Sequence, residues 1–129
     1  MVLRFLLAAG LGALIGYQRE QAGKAAGLRT HMLVSAGAAL FALVSMYGFR
    51  GAEVDISRVA AGVVVGIGFI GAGVILRGQR EKQVAGLTTA ASIWITAAVG
   101  LAAGVGMYLI SVVAAAVTVG VLFLPKVRG

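Results

Sequence analysis

Five apolar runs divide this chain, and they constrain its fold more than any other feature. They cover Met1–Tyr17, Thr30–Tyr47, Val59–Leu76, Thr88–Gly104 and Met107–Leu124. The last four hold 17 to 18 residues each and contain no Asp, Glu, Lys or Arg. As helices they reach roughly 25–28 Å, enough to cross a thin bilayer. The first run carries Arg4 and is weaker. It has the look of a signal-peptide start, but no Ala-x-Ala site follows where cleavage would need one. It therefore reads as a retained span. Composition agrees: 60% of the 129 residues are hydrophobic and only 12% charged, against roughly 25% charged in a soluble domain. A domain this small cannot hide so much apolar surface from water. The chain has 20 glycines and one proline, which suits closely packed transmembrane helices. A soluble enzyme domain and a disordered tail are excluded. With no cysteine, a disulfide scaffold and a thiolate metal site are excluded too.

The net charge is +7. Its cations fall in short breaks between apolar runs rather than in one patch, so nucleic acid is not the expected partner and topology is the better reading. The loops Gln18–Arg29 and Arg77–Leu87 and the tail after Leu124 together hold eight Lys and Arg, against three on the other side, Arg4, Arg50 and Arg58. The eight-cation side is expected to be cytoplasmic, which puts the N-terminus outside and the C-terminus inside. The whole chain, 1–129, reads as one all-α polytopic domain of about five spans. The short break near Gly104–Gly106 makes the last two spans a tight hairpin.

An internal repeat is visible. Residues 10–20, Gly-Leu-Gly-Ala-Leu-Ile-Gly-Tyr-Gln-Arg-Glu, align with 71–81, Gly-Ala-Gly-Val-Ile-Leu-Arg-Gly-Gln-Arg-Glu. After a gap shorter by two residues in the second copy, Ala26-Gly-Leu-Arg-Thr30 aligns with Ala85-Gly-Leu-Thr-Thr89. The first two helices thus read as a duplicate of the third and fourth, in parallel orientation. Both Gln-Arg-Glu loops then fall on the cytoplasmic face. Arg19, Glu20, Arg29 and Thr30 of one copy, with Arg80, Glu81, Thr88 and Thr89 of the other, form a candidate paired site. Such residues at helix ends pair, cap orphan amides or bind an anion; the plainer alternative is topology signal plus capping.

The third run contains Gly66-Ile-Gly-Phe-Ile-Gly71, which fits the dinucleotide fingerprint literally. That motif needs a strand, a turn and a new helix, and a turn here would expose unpaired backbone to lipid. At 100° per residue, Gly62, Gly66 and Gly73 share one face, while Gly68, Gly71, Ala61 and Ala72 share the opposite one. Helix three is therefore expected at the bundle centre, approached closely on both sides. The alternative is a helix that unwinds around an ion. Helix four carries Thr89, Ser92, Thr96, Gly100 and Ala103 on one face and Trp94 on the other. Helix five repeats the spacing with Ser111, Ala115 and Thr118. Gly62, Gly66, Gly68, Gly71, Gly73, Ser92, Thr96 and Gly100 are the candidate packing or pore-lining positions. His31 reads as an interfacial side chain. All four carboxylates, Glu20, Glu53, Asp55 and Glu81, lie in or beside loops. Magnesium binds through carboxylates and retained waters, and proton pumps carry buried acids, so a cation path is hard to build. No catalytic constellation is present, and no cofactor is evident.

Four stretches resemble the MgtC/SapB family over nearly the whole chain: Gly-Ala-Leu-Ile-Gly-x-x-Arg-Glu at 12–20, Ala-Gly-Leu-Arg-Thr at 26–30, Gly-Ile-Gly-Phe-Ile-Gly-Ala-Gly-Val-Ile at 66–75 and Gly-Leu-Thr-Thr-Ala-Ala at 86–91. The resemblance implies a multi-pass protein of the bacterial inner membrane, linked to growth at low magnesium. It also implies a modulator of another inner-membrane protein such as an ATP synthase, with magnesium associated by family only and no metal ligands assigned. It covers the membrane part and not the soluble C-terminal domain that several members carry. Two roles follow: a regulatory helix-bundle module, or a carrier or channel for magnesium or another small ion. The lipid bilayer and a second copy of the chain, as a dimer, are the other expected partners.

Overall fold

The computed structural model describes residues 1–24, 26–48, 55, 57–79 and 86–124. It holds five α-helices: α1 (Val2–Gln21), α2 (Leu28–Leu43), α3 (Ser57–Gln79), α4 (Leu87–Gly104) and α5 (Tyr108–Leu122). A π-helical turn, Val44–Gly48, prolongs α2. There is no strand among the described residues. Each apolar run has become one helix.

Glycines set the helix ends where the backbone must turn left-handed. Gly23, at φ +69°, closes α1 with paired bonds from Lys24 N–H to the Arg19 carbonyl and from Gly23 N–H to the Glu20 carbonyl, both 3.1 Å. Gly106, at φ +92°, does the same for α4: Met107 N–H reaches the Ala102 carbonyl at 2.8 Å and Gly106 N–H the Ala103 carbonyl at 3.1 Å. Both are Schellman ends, which satisfy carbonyls the helix leaves open. The second makes the α4–α5 connection as tight as the sequence suggests.

Among the described residues, length and composition qualify three stretches to cross a bilayer: Leu28–Gly48, Ser57–Ile75 and Leu87–Gly104. Tyr108–Leu122 is apolar but shorter. Helix α1 is 20 residues long and includes Arg4, Arg19 and Glu20. An apolar bundle with its large side chains outside is what lipid, not water, accommodates; Phe69 is 77% and Leu109 80% exposed. The protein is a membrane protein.

The centre of the bundle is α4, which packs against each of the other four helices. This differs from the expectation that helix three sits there. Half of α4 is buried, including Ile93, Ala97, Val99 and Ala103. Helix α3 leans mainly on α4 and exposes most of its length, with Ile67 and Gly71 its buried positions among 57–75. The reason is which small residues find a neighbour. Gly12 and Gly16 on α1 and Gly100 and Gly104 on α4 meet backbone across the interface, whereas Gly62, Gly66, Gly68 and Gly73 on α3 have no close neighbour among the described residues.

Candidate functional site

A polar seam runs along the line where α1, α2 and α4 meet. Close backbone approach creates it. A Cβ on Gly12 would stand 2.6 Å from the His31 carbonyl oxygen, and one on Gly16 would stand 2.8 Å from the Leu28 Cα. On α4, a Cβ on Gly100 would run into the Ser35 carbonyl, and one on Gly104 would stand 2.8 Å from the Ala39 Cα. Real side chains do not tolerate such separations from backbone, so these four glycines hold the three helices together.

Into this contact α2 sends Gly27, His31, Ser35 and Ala39, spaced by four residues on one face. His31 is fully buried, not interfacial. Its Nδ1–H donates to the Gly27 carbonyl at 2.8 Å, and its Nε2 lies 2.9 Å from Ser92 Oγ on α4. The Ser92 hydroxyl is in turn 2.7 Å from the Thr89 carbonyl. Ser35 Oγ donates to the Ala8 carbonyl on α1 at 2.6 Å, and Thr96 Oγ1 donates to the Ser92 carbonyl at 2.6 Å. The imidazole thus links α2 to α4, and Ser35 links α2 to α1.

Each end of the seam carries an arginine from α1. At one end Arg4 donates from Nε to Tyr108 Oη (3.2 Å), and from Nη1 to Tyr47 Oη (3.2 Å) and the Gly104 carbonyl (3.3 Å). Its guanidinium stands 6.0 Å from the Tyr47 ring centre, within cation–π range. One cation thereby joins the start of α1, the end of the α2 extension, the end of α4 and the start of α5. At the other end Arg19 Nη2 donates to Thr89 Oγ1 on α4 at 2.7 Å. Helix α1 therefore runs antiparallel to α2 and α4 and parallel to α5.

Six of the eight residues of the candidate paired site are among the described residues. Arg19 of α1 and Thr89 of α4 do meet. Glu20 instead accepts the Leu28 N–H at 3.0 Å and so caps its own neighbour, α2. Arg29 and Thr88 are exposed and Thr30 is half-buried. Arg80 and Glu81 lie outside the described residues. Of the packing or pore-lining candidates, Ser92, Thr96 and Gly100 lie in the seam. A Cβ on Gly62, Gly66, Gly68 or Gly73 would meet nothing within 4 Å, and one on Gly71 would touch Ala90 Cβ at an ordinary 3.5 Å. Gly62 and Gly66 instead border an apolar groove of about 610 Å³ between α2 and α3, with Leu33, Gly37, Phe41 and Ile70. Sequence reasoning missed Gly12, Gly16, His31, Ser35 and Gly104. The signals were there: Gly12-x-x-x-Gly16, Gly100-x-x-x-Gly104 and the four-residue stripe on α2.

No group of three or more His, Cys, Asp or Glu residues gathers as a metal site among the described residues. At the mouth of α3, outside the apolar segments, Asp55 accepts from Ser57 Oγ (2.6 Å) and Ser57 N–H (3.0 Å). These bonds hold its carboxyl below the usual carboxylate range.

The comparison with known proteins decides the family: residues 5–128 match the MgtC family. The chain belongs to the MgtC family. It is 48% identical to YhiD of Escherichia coli K12, a proposed magnesium transporter by name, over 94% of this chain and 58% of YhiD. It is 45% identical to SrpB of Synechococcus elongatus, over 81% of this chain and 63% of that protein. It is 46% identical to MgtC of Salmonella typhimurium, over 83% of this chain and 44% of MgtC. The chain thus spans less than two thirds of each of these relatives. No solved structure matches it.

Proposed function

We propose that this member of the MgtC family is a magnesium-linked, non-enzymatic protein of the bacterial inner membrane that regulates other membrane proteins through helix contacts. The observation that carries this reading is the contrast between the two faces of α2. The inner face has its polar groups satisfied internally, by His31–Ser92 and Ser35–Ala8 bonds. The outer face, with α3, leaves an apolar groove bordered by Gly37, Gly62 and Gly66. Glycines with no close neighbour among the described residues let another apolar helix come close. The link to magnesium rests on family membership and on the name of YhiD. The reading includes five spans with the N-terminus outside, a parallel duplication of the first helical pair, and a dimer.

The name of YhiD favours the second reading, a carrier for magnesium. Against it stands the placement of all four carboxylates outside the apolar runs. A cation would then have to shed water for hydroxyls and backbone carbonyls alone.

Filling the groove separates the readings. Gly62→Leu and Gly66→Leu occupy space that is open in the chain, so membrane level and thermal stability are expected to stay as in the wild type. Growth support in low magnesium is expected to fall. Full complementation by the double variant would contradict the regulatory reading.

A further inference from the structure

Arg19 is the most deeply buried charge among the described residues. It is 3% exposed, and burial of an unpaired cation is costly. Its guanidinium makes one hydrogen bond, to Thr89 Oγ1, and its Nε is sealed in without a partner. The carboxylate nearest in sequence, Glu20, is engaged at the start of α2. No described carboxylate pairs with Arg19.

What Arg19 faces is a second source of positive potential. Thr89 is the third residue of α4, whose N-cap is Gly86, at φ +100°, a residue with no side chain of its own to cap the helix. The first amide of α4 with an intrahelical partner is that of Ala90, bonded to the Gly86 carbonyl at 2.8 Å. The N–H groups of Leu87, Thr88 and Thr89 precede that bond and have no partner among the described residues. The positive end of the α4 dipole adds to the guanidinium charge. Thr89 Oγ1 accepts from Arg19 and keeps its own hydrogen to offer. Leu87 is 59% exposed and Thr88 is exposed as well, so the first turn of α4 reaches the outside of the bundle. The start of α2 carries a carboxylate on its first amide; the start of α4 has the equivalent need with no acid among the described residues to meet it.

The geometry points to a phosphate-binding site formed by the Arg19 guanidinium, the Thr89 hydroxyl and the first amides of α4. Several oxygens on one anion match several convergent donors, and a planar guanidinium suits phosphate in particular. The position at the end of the apolar helices gives two sources for the group, a phospholipid headgroup or free phosphate in the adjoining water.

The test uses the full chain in dodecyl maltoside, which carries no phosphate. One arm adds inorganic phosphate against chloride at equal ionic strength. The other adds phosphatidylglycerol against an uncharged galactolipid. Thermal unfolding reports saturable stabilisation, and the phosphorus resonance reports contact. Stabilisation is expected in at least one arm, and the arm that responds names the source. Arg19→Gln is expected to weaken the apparent affinity about tenfold or more, with Arg19→Lys between. If Arg19→Gln does not fold, Thr89→Val removes the hydroxyl at equal size and is expected to weaken binding in the same arm. The proposal is overturned if neither arm stabilises the wild type, or if folded Arg19→Gln or Thr89→Val responds as the wild type does.

Discussion

Adding a single methyl group to Gly100 tests the packing that builds the seam. The new Cβ would collide with the Ser35 carbonyl and stand 2.8 Å from the Ser35 Cα. Both atoms are backbone of α2, so no side chain can swing aside, and α2 and α4 must separate. Overpacking of this kind costs about 1–3 kcal/mol. Separation would also lengthen the 2.9 Å contact from His31 to Ser92, which places Gly100→Ala toward the upper end. The matched control is Gly66→Ala, where a Cβ meets nothing within 4 Å. There alanine's helix preference predicts no loss, and a gain of up to about 1 kcal/mol. Reversible unfolding in mixed micelles, followed by circular dichroism, measures both. Gly100→Ala should raise the unfolding equilibrium constant at least about tenfold relative to Gly66→Ala. Equal stability of the two variants would refute the assignment of close packing to α1, α2 and α4 rather than to α3.

Removing the Ser92 hydroxyl should cost about 1–3 kcal/mol, because Ser92→Ala leaves His31 Nε2 buried without its partner; the same unfolding assay reads it. Glu20→Ala removes the cap on Leu28 and should cost about 0.5–1 kcal/mol, the low end for an exposed cap, seen as faster amide exchange at the start of α2. The Asp55 carboxyl is held low by Ser57, so the contact it makes is complete above the ordinary carboxylate range and is lost as pH falls through the lowered folded value. Ser57→Ala should move the Asp55 titration upward, as read by nuclear magnetic resonance of its carboxyl carbon.

The helices were legible because hydrophobic length is a one-dimensional property. Runs without charge, bounded by Arg, Glu and Gly, mark where lipid-compatible backbone begins and ends. The stripe Thr89, Ser92, Thr96, Gly100 and Ala103 was legible as a face of α4, and all five are buried. What periodicity does not reveal is which small residue has a partner. Gly66 and Gly100 look alike in sequence, and only the tertiary arrangement leaves one open and sets the other against Ser35. His31 was misread for a related reason. A histidine near the start of a span suits an interface equally well, and its burial follows from Gly12 and Gly16 on a different helix. Arg4, counted only as a topology signal, reaches the end of α4 and the start of α5 because the chain returns there twice.

The central claim is that this chain acts through helix contacts and does not itself carry ions. Purified protein reconstituted into liposomes loaded with a magnesium-sensitive dye tests it most directly. An inward magnesium gradient, with and without a membrane potential, should give entry no faster than in protein-free liposomes, while calcium and potassium gradients should behave the same way. Saturable magnesium entry that scales with the amount of protein would contradict the account and establish the carrier reading in its place.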